Sequence, residues 1–478
     1  MALAKSQIIE RNSGLARHER VGGLADDPEI RREFRELTET VVGATGVGGP
    51  WFTAALLLSA GAMGIGAVSW WAQLNYGLEV TGLQHPMMWA MYISSFVWWV
   101  GVAHSGTMVS AILFLFRARF RPAFSRTAEA MTLIAIVTAT AFPIIHLGRA
   151  WRFYWLLPYP NQRHLWPTFR SPLLLDVFAI LTYLLVSVMF FWLGLVPDLA
   201  IMRDRAKGWA RTLYGIASLG WQGKGNHWHH HHMAYGIIAS LATPLVISVH
   251  TVVSWDFSLG ITAGWHSTIF PPFFVLGAVF SGLAMVLTLM LPMRALLGLK
   301  RYITLEHLDW LARLILLMSL LLSFCYATEY FMIWYGRDQL EKVNLLNRMT
   351  TYGPLFWTMT LCNSVFPLSL FLPKLRRNVP FLFVLSLLVN LGMWLERFVV
   401  VAGSLARDYE PYAWAREGYH VMLVEWGIIV GSYGLFFFCF LLFVRYLPAL
   451  PIAEYKRELL KEKREQHALE AAGLEREP

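Results

Sequence analysis

The chain is 478 residues long, 56% hydrophobic and only 15% charged, with a mean hydropathy of +0.48. A soluble domain carries about 25% charge, so the composition excludes a soluble enzyme and points to a polytopic membrane protein. The net charge of +9 does not mark a nucleic-acid partner, because the Lys and Arg sit in tails and loops between apolar stretches, where they set topology.

Residues 1–50 are charged and carry no short apolar core followed by a small-residue cleavage site, so no cleaved signal peptide is expected. Ten apolar stretches follow, at about 51–76, 86–116, 128–147, 172–196, 234–254, 270–296, 305–335, 351–373, 380–402 and 420–447. Each is long enough to cross a bilayer as a helix, and an even number puts both tails on one side. The loops after spans two, four, six and eight carry Arg117, Arg119, Arg121, Arg126, Arg203, Arg205, Lys207, Arg211, Lys224, Arg294, Lys300, Arg301, Lys374, Arg376 and Arg377. The opposite loops carry fewer: Arg149, Arg152, Arg163, Arg170, Arg337, Lys342, Arg348, Arg407 and Arg416. The positive-inside rule therefore makes both termini cytoplasmic. "HWHHHH", 227–232, reads as a solvated loop before span five; it resembles a metal-binding tract, but no second ligand cluster accompanies it. The tail 454–478 reads as a solvated mixed-charge helix leaving the membrane.

An internal repeat organises the spans. "HSGTMVSAILFLFRARF" in span two is similar to "FSGLAMVLTLMLPMRAL" in span six, aligning Ser105-Gly106 with Ser281-Gly282. "SPLLLD" opening span four is similar to "GPLFWT" opening span eight, aligning Pro172 with Pro354. An even number of helices per unit makes the repeats parallel. The expected fold is an all-α polytopic membrane protein with about ten transmembrane helices: two parallel-repeat four-helix bundles plus two flanking helices. The chain divides into a cytoplasmic N-terminal tail (1–50), a flanking helix with an outer loop (51–85), a first bundle (86–254), a second bundle (255–402), an outer loop with the last helix (403–453) and a cytoplasmic C-terminal tail (454–478).

Ionisable residues inside the spans carry the functional reading. Asp176 lies one turn inside span four and His146 at the outer end of span three, at similar depth on sequential helices. A carboxylate there is expensive and usually functional. The repeat maps His146 to Thr328 and Asp176 to Thr358, so this pair belongs to the first unit alone. Oxidation of a quinol needs two proton acceptors across a flat apolar slot; an imidazole and a carboxylate supply them. The run Trp151 to Trp155 either walls that slot or forms an interface belt. His104, His250, Asp256, Glu329, Glu396 and Arg397 are further buried candidates for structural pairing or proton relay. Cys325, Cys362 and Cys439 are far apart, and no C-x-x-C or C-x-x-C-H occurs; neither iron–sulfur ligation nor haem attachment is expected. A b-type haem would need facing histidines at matched depth, and His104 has no obvious mid-membrane partner in the sequence.

"HSGTMVSAILFLFR" (104–117), "FPIIHLGR" (142–149), "SPLLLD" (171–176), "SVHTVVSWDFS" (248–258), "HLDWLA" (307–312) and "NLGMWLERFVVVAGSLARDYEP" (390–411) together resemble the NrfD/PsrC-type quinone-interacting membrane subunits. The chain is similar in particular to the ActC subunit of bacterial alternative complex III, which its ten spans suit. The resemblance implies oxidation of a quinol, menaquinol by expectation, at the periplasmic edge of the first bundle, with His146 and Asp176 as the family's essential pair. It implies residence in the bacterial inner membrane and electron delivery to an iron–sulfur/molybdopterin-like subunit and multihaem cytochrome c subunits, beside a homologous NrfD-like subunit. It also implies a proton route, with no residues carried over for it. Arg149 and Arg152 are expected to cap the site and dock partners. The competing readings are an NrfD-type anchor of a quinone- or sulfur-compound-reducing complex, a secondary transporter, and a structural anchor without a quinone.

Overall fold

A computed structural model describes residues 27–118, 120–158, 171–406 and 419–471. Arg119, Arg163, Arg170, Arg407 and Arg416 of the topology argument, residues 1–26 of the N-terminal tail and residues 472–478 of the C-terminal tail lie outside them. The described chain is all-helical, and ten of its helices are long and apolar enough to cross a membrane.

The helices are α1 (Pro28–Ala44), α2 (Pro50–Tyr76), α3 (Met91–Leu115), α4 (Ser125–His146), α5 (Pro172–Arg205), α6 (Gly208–Ala217), α7 (Gly225–Ser258), α8 (Phe270–Leu296), α9 (Leu305–Gly336), α10 (Gln339–Thr350), α11 (Gly353–Thr360), α12 (Pro373–Arg376), α13 (Val379–Leu405), α14 (Leu423–Tyr446) and α15 (Ile452–Ala471). Helices α3, α4, α5 and α7 pack as one ring of four; α8, α9, α11 with its continuation, and α13 form a second. α3 and α8 are apolar all round and buried on nearly every side, whereas α2 presents most of its surface outward, as expected of a central and a lipid-facing helix. α3 crosses α8 where the two repeat copies meet: a Cβ on Gly282 would fall 1.2 Å from Ser105 Oγ. α2 and α14 approach as closely, since a Cβ on Gly66 would fall 2.5 Å from Gly431 Cα. In lipid, small residues permit such backbone contact and the dispersion gained from it.

Several segments depart from the sequence reading. α7 starts at Gly225, so the histidine tract forms its first turns instead of a loop, with His231 Nε2 2.8 Å from the Leu193 carbonyl. The segment before α2 is not all tail: α1 is amphipathic and buries Ile30, Leu37, Thr38 and Val41. Its Glu36 is held below the usual carboxylate range by hydrogen bonds from Arg301 and Arg32. The C-terminal helix is docked, not solvated. Glu454 pairs with buried Arg121, the Ala453 N–H donates to Asp198 Oδ1 at 3.0 Å, and α15 packs on α1 and α5. Free carboxylate and amide groups at its N-terminal turn meet buried charges of the first bundle, and that satisfies both. Span eight is not one regular helix. After Thr360 it widens through an i→i+5 turn at Leu361–Val365 and tightens at Phe366–Phe371, where Pro367 cannot donate to an α-helical ladder. The irregular turn is held from within the protein: Ser319 Oγ donates to the Asn363 carbonyl at 2.6 Å, and Asn363 Nδ2 donates to Tyr326 Oη at 3.1 Å.

The Ser105–Gly282 contact makes a direct test of the bundle crossing. Gly282→Ala is expected to destabilise the protein by about 1–3 kcal/mol through overpacking. Adding Ser105→Gly should recover most of that loss, read as the thermal midpoint in detergent.

Candidate functional site

α4 ends at His146 because Gly148 adopts φ +68° and turns the chain out of the helix, the backbone state that glycine tolerates best. A short 3₁₀ segment, Ala150–Leu156, follows. Its rings are exposed, Trp151 61%, Phe153 52%, Tyr154 41% and Trp155 44%, so they wall no buried slot and suit an interface belt. Arg149 is exposed too; Arg152 lies over the Trp155 ring at 4.6 Å.

His146 itself is half-buried, its ring edge-on to Tyr92 with 6.5 Å between centroids. Tyr92 Oη donates to Gln73 Oε1 and Gln73 Nε2 donates to the Ile145 carbonyl, both at 2.7 Å. Gln73 of α2 thus ties the end of α4 to α3. Asp176, buried one turn inside α5, faces Asp256 in the last turn of α7, and the two carboxyl groups are within hydrogen-bonding reach. α5 packs between α4 and α7, so the three side chains share one end of one ring of helices. No hydrogen bond or ion pair joins His146 to Asp176. Among the described residues, His146 Nδ1 is buried without a partner, and Asp176 Oδ1 and Asp256 Oδ1 receive no hydrogen bond from any group outside their own carboxyl pair. An unsatisfied buried polar group costs about 1–3 kcal/mol, so this cluster at one helix-bundle mouth suits a polar ligand.

Below this mouth a column of polar side chains follows α5 inward. Tyr183, two turns from Asp176, packs its ring 4.3 Å from that of His104, donates to the Ala103 carbonyl at 2.8 Å and lies 3.0 Å from Thr107 Oγ1. His104, which the sequence leaves without a partner, meets His250: their Nδ1 atoms are 3.0 Å apart, both rings fully buried. α7 runs on to Ser258, which places His250 two turns inside the helix and not at its end. Thr107 also reaches Thr132 and Ser187. Further in, Ser110 Oγ and Tyr235 Oη donate to Glu129 Oε1 at 2.7 and 2.8 Å. Arg121 donates to Tyr235 and to the Ser110 carbonyl. Arg126 Nη2 donates to Asp198 Oδ2 at 2.7 Å. From Asp176 to Asp198 along α5 the helical rise spans about 33 Å, close to the hydrocarbon thickness of a bilayer.

The remaining sequence candidates fall in the second ring. Glu396 pairs with Arg397 at 3.0 Å and accepts from Tyr326; Arg397 lies over the Phe274 ring at 4.2 Å. Glu329 pairs with Arg348 at 3.2 Å, and Arg348 Nη2 also donates to the Gly264 carbonyl and to Ser404 Oγ. Thr328 and Thr358, the repeat counterparts of His146 and Asp176, bond back to carbonyls of their own helices.

Comparison with known proteins adds the family. The polysulphide reductase NrfD family matches residues 79–407, more than half of the chain and both rings of helices. A putative dimethyl sulfoxide reductase membrane subunit of Halobacterium salinarum is 26% identical over 425 residues, which cover 82% of this chain and 91% of the relative. A selenate reductase subunit of Mesobacillus selenatarsenatis is 21% identical over 234 residues, covering 47% of this chain and 53% of the relative.

Sequence reading misses most of the column. Glu129 is within its reach, as a carboxylate one turn inside an apolar span. Arg121 and Arg126 read as loop charges that only set topology, yet they are 3% and 2% exposed. Tyr183, Thr107 and Thr132 carry no signal that separates them from ordinary hydroxyls bonded within a core. The buried charges predict their own weight. Arg126→Ala leaves Asp198 without its cation and Glu129 with Arg121 alone, and is expected to cost about 3–5 kcal/mol. Arg149→Ala, on the exposed turn, should stay within about 0.5 kcal/mol. Thermal unfolding of the two variants in detergent makes the comparison.

Proposed function

This chain belongs to the polysulphide reductase NrfD family, and on that premise we propose that it is the quinol-oxidising membrane subunit of a multi-subunit reductase complex. It is a multi-pass integral membrane protein. The proposal places it in the cytoplasmic membrane with both termini inside, because the arginine-rich loops lie at the end opposite His146. The observation that carries the proposal is the cluster at one mouth of a buried His146 Nδ1 without a partner and an Asp176–Asp256 carboxyl pair with no cation beside it, among the described residues. Beside them α5 exposes Leu173, Leu175 and Phe178, a lipid-facing approach for an isoprenoid quinol.

The chemistry follows from the residue types. A quinol gives up two hydroxyl protons and two electrons to become a quinone. The imidazole of His146 accepts one proton. Two carboxyl groups in contact hold one proton between them, so the Asp176–Asp256 pair has room for the second. Burial of both acceptors at a helix-bundle mouth keeps water from competing for them. The electrons pass to an iron–sulfur partner and on to a molybdopterin-type catalytic subunit. The names of the two relatives support that division of labour, since each is one subunit of a reductase. A second reading, the ActC subunit of alternative complex III, is favoured by the ten candidate spans. In it the electrons go to multihaem cytochrome c subunits, beside a homologous NrfD-like subunit. Haem content of the purified complex separates the two readings, and the quinol chemistry is common to both.

His146→Ala, Asp176→Asn and Asp256→Asn are each expected to slow quinol-driven reduction of the partner subunits by about 10²–10⁴-fold, the usual contribution of a positioned proton acceptor. The measurement is made on complexes whose polypeptide content equals that of the wild type. Full turnover in such complexes would assign these residues a structural role. We further infer that the column from Tyr183 to Glu129 carries protons between the quinol site and the inner face. On this reading Glu129→Gln keeps quinol oxidation, its protons then leaving by the outer mouth, and loses proton release at the inner face, followed with a pH-sensitive dye in proteoliposomes. Unchanged proton release at the inner face in that variant would remove the column from the mechanism.

A further inference from the structure

The end of the molecule opposite His146 carries a cavity that the proposed quinol chemistry does not use. It is a cleft of about 520 Å³ between the inner end of α5, the start of α7 and α15. Three cations, Arg203, Lys456 and Arg457, line it against one carboxylate, Asp204, together with the indoles of Trp221 and Trp228. Arg203 is fixed by its bond to the Trp221 carbonyl at 3.0 Å and to Asp204 at 2.9 Å. Lys456 Nζ lies over the Phe34 ring at 5.6 Å, with Asp198, already paired to Arg126, as its nearby carboxylate, and Arg457 Nη1 meets His232 Nδ1 at 3.3 Å. Neither forms an ion pair among the described residues, and Arg457 Nε is buried without any hydrogen-bond acceptor. Two cations without an ion pair and an orphaned guanidinium nitrogen in one cleft call for an anion.

The level of the cleft in the membrane says which kind. α6, which follows α5 directly, exposes Trp209 (75%), Leu213 (53%) and Ile216 (71%) along one side. A short helix with such a face lies in the plane of the membrane interface. The carbonyl of Ala217 at its end accepts from Trp192 Nε1 at 3.0 Å, which ties the interface level to α5 one turn above the cleft. The indoles of Trp221 and Trp228 meet edge-on with 5.0 Å between centroids, at the depth that tryptophan prefers. Further into the membrane α5 exposes Leu185, Met189 and Trp192; on the same side Val196 and Ala200 are buried, and Arg203 follows at the cleft. A headgroup in the cleft therefore has exposed apolar surface for its acyl chains farther along α5. We propose that this cleft is a binding site for the phosphate of an anionic phospholipid, held by Arg203, Lys456 and Arg457 under the tryptophan pair. Basic pockets between helix ends on the cytoplasmic side are suited to such headgroups.

The test uses the chain purified in its native membrane complex. Wild type and an Arg203→Gln/Lys456→Gln/Arg457→Gln variant are exchanged into detergent, then titrated with phosphatidylglycerol and followed by native mass spectrometry and thermal midpoint. Each basic group near an anionic headgroup is worth about fivefold in affinity, so the triple change should weaken retention by about 100-fold. The wild type should gain thermal stability from phosphatidylglycerol and none from phosphatidylcholine, and the variant from neither. A parallel titration with inorganic phosphate separates the sources of the anion. Phosphate that stabilises the wild type as well as the lipid does would overturn the lipid assignment. Equal retention of phosphatidylglycerol by variant and wild type would overturn the site. Far-UV circular dichroism and the polypeptide content of the complex confirm that the variant is folded; single Lys456→Gln and Arg457→Gln variants, each expected to lose about fivefold, carry the test if it is not.

Discussion

No water reaches the interior of a bilayer, so every ionisable side chain buried there must be satisfied by the protein or by something the protein binds. This one requirement organises both rings of helices. In the second ring the buried carboxylates Glu329 and Glu396 each have an arginine, Arg348 and Arg397. In the first ring the inner half is satisfied in the same way, with Glu129 and Asp198 set among Arg121 and Arg126. At the outer mouth Asp176 and Asp256 face each other, His146 stands beside Tyr92, and no cation among the described residues enters. Among the described buried carboxylates of the two rings, this departure from ion pairing falls where a substrate with two hydroxyl groups is proposed to bind.

The repeat sharpens that contrast. Two rings built from similar segments meet at a crossing where Ser105 lies on Gly282, so the frame around each ring is nearly equivalent. The frame alone does not make a site. Where the first ring has His146 and Asp176, the second has Thr328 and Thr358, and these hydroxyls return to their own helix backbones. The second ring commits its polar residues to internal ion pairs and to the widened turn around Asn363. The proposed chemical role of the first ring then rests on side chains that the second ring lacks at the matching positions, His146 and Asp176, together with Asp256.

The sequence makes the helices legible because a membrane span announces itself through length and apolar content, and all ten candidate spans correspond to helices of the structure. The mouth is half legible. His146 and Asp176 stand out because ionisable groups inside apolar runs are rare. Asp256 stands out equally, but its place opposite Asp176 depends on α7 packing against α5, a contact between residues 80 positions apart that periodicity does not encode. The same limit hides the His104–His250 contact, which needs α3 and α7 as neighbours. Charge patterning fails at the inner end for a different reason. Arginines in a short loop read as topology markers whether they face water or fold back under the bundle, as Arg121 and Arg126 do. A mixed-charge tail reads as solvated unless its docking partner is known, and α15 finds its partner in those buried charges.

The two ends of the first ring are connected through α5. Its inner end is fixed by Asp198, which accepts from Arg126 on α4 and from the backbone of Ala453 at the start of α15. A buried ion pair adds little net stability, since desolvation cancels much of the attraction; its best-attested use is to fix register. Register is what the outer mouth requires. A slip of α5 by one turn would move Asp176 by about 5.4 Å and take it out of reach of Asp256. Proton acceptors need placement within a few tenths of an ångström of their substrate, and a helix sliding in lipid meets little resistance from apolar contacts alone. The Arg126–Asp198 pair supplies that resistance about 33 Å from the proposed site. The charges buried at the inner end and the carboxylates left unpaired at the outer end are then parts of one arrangement along a single helix.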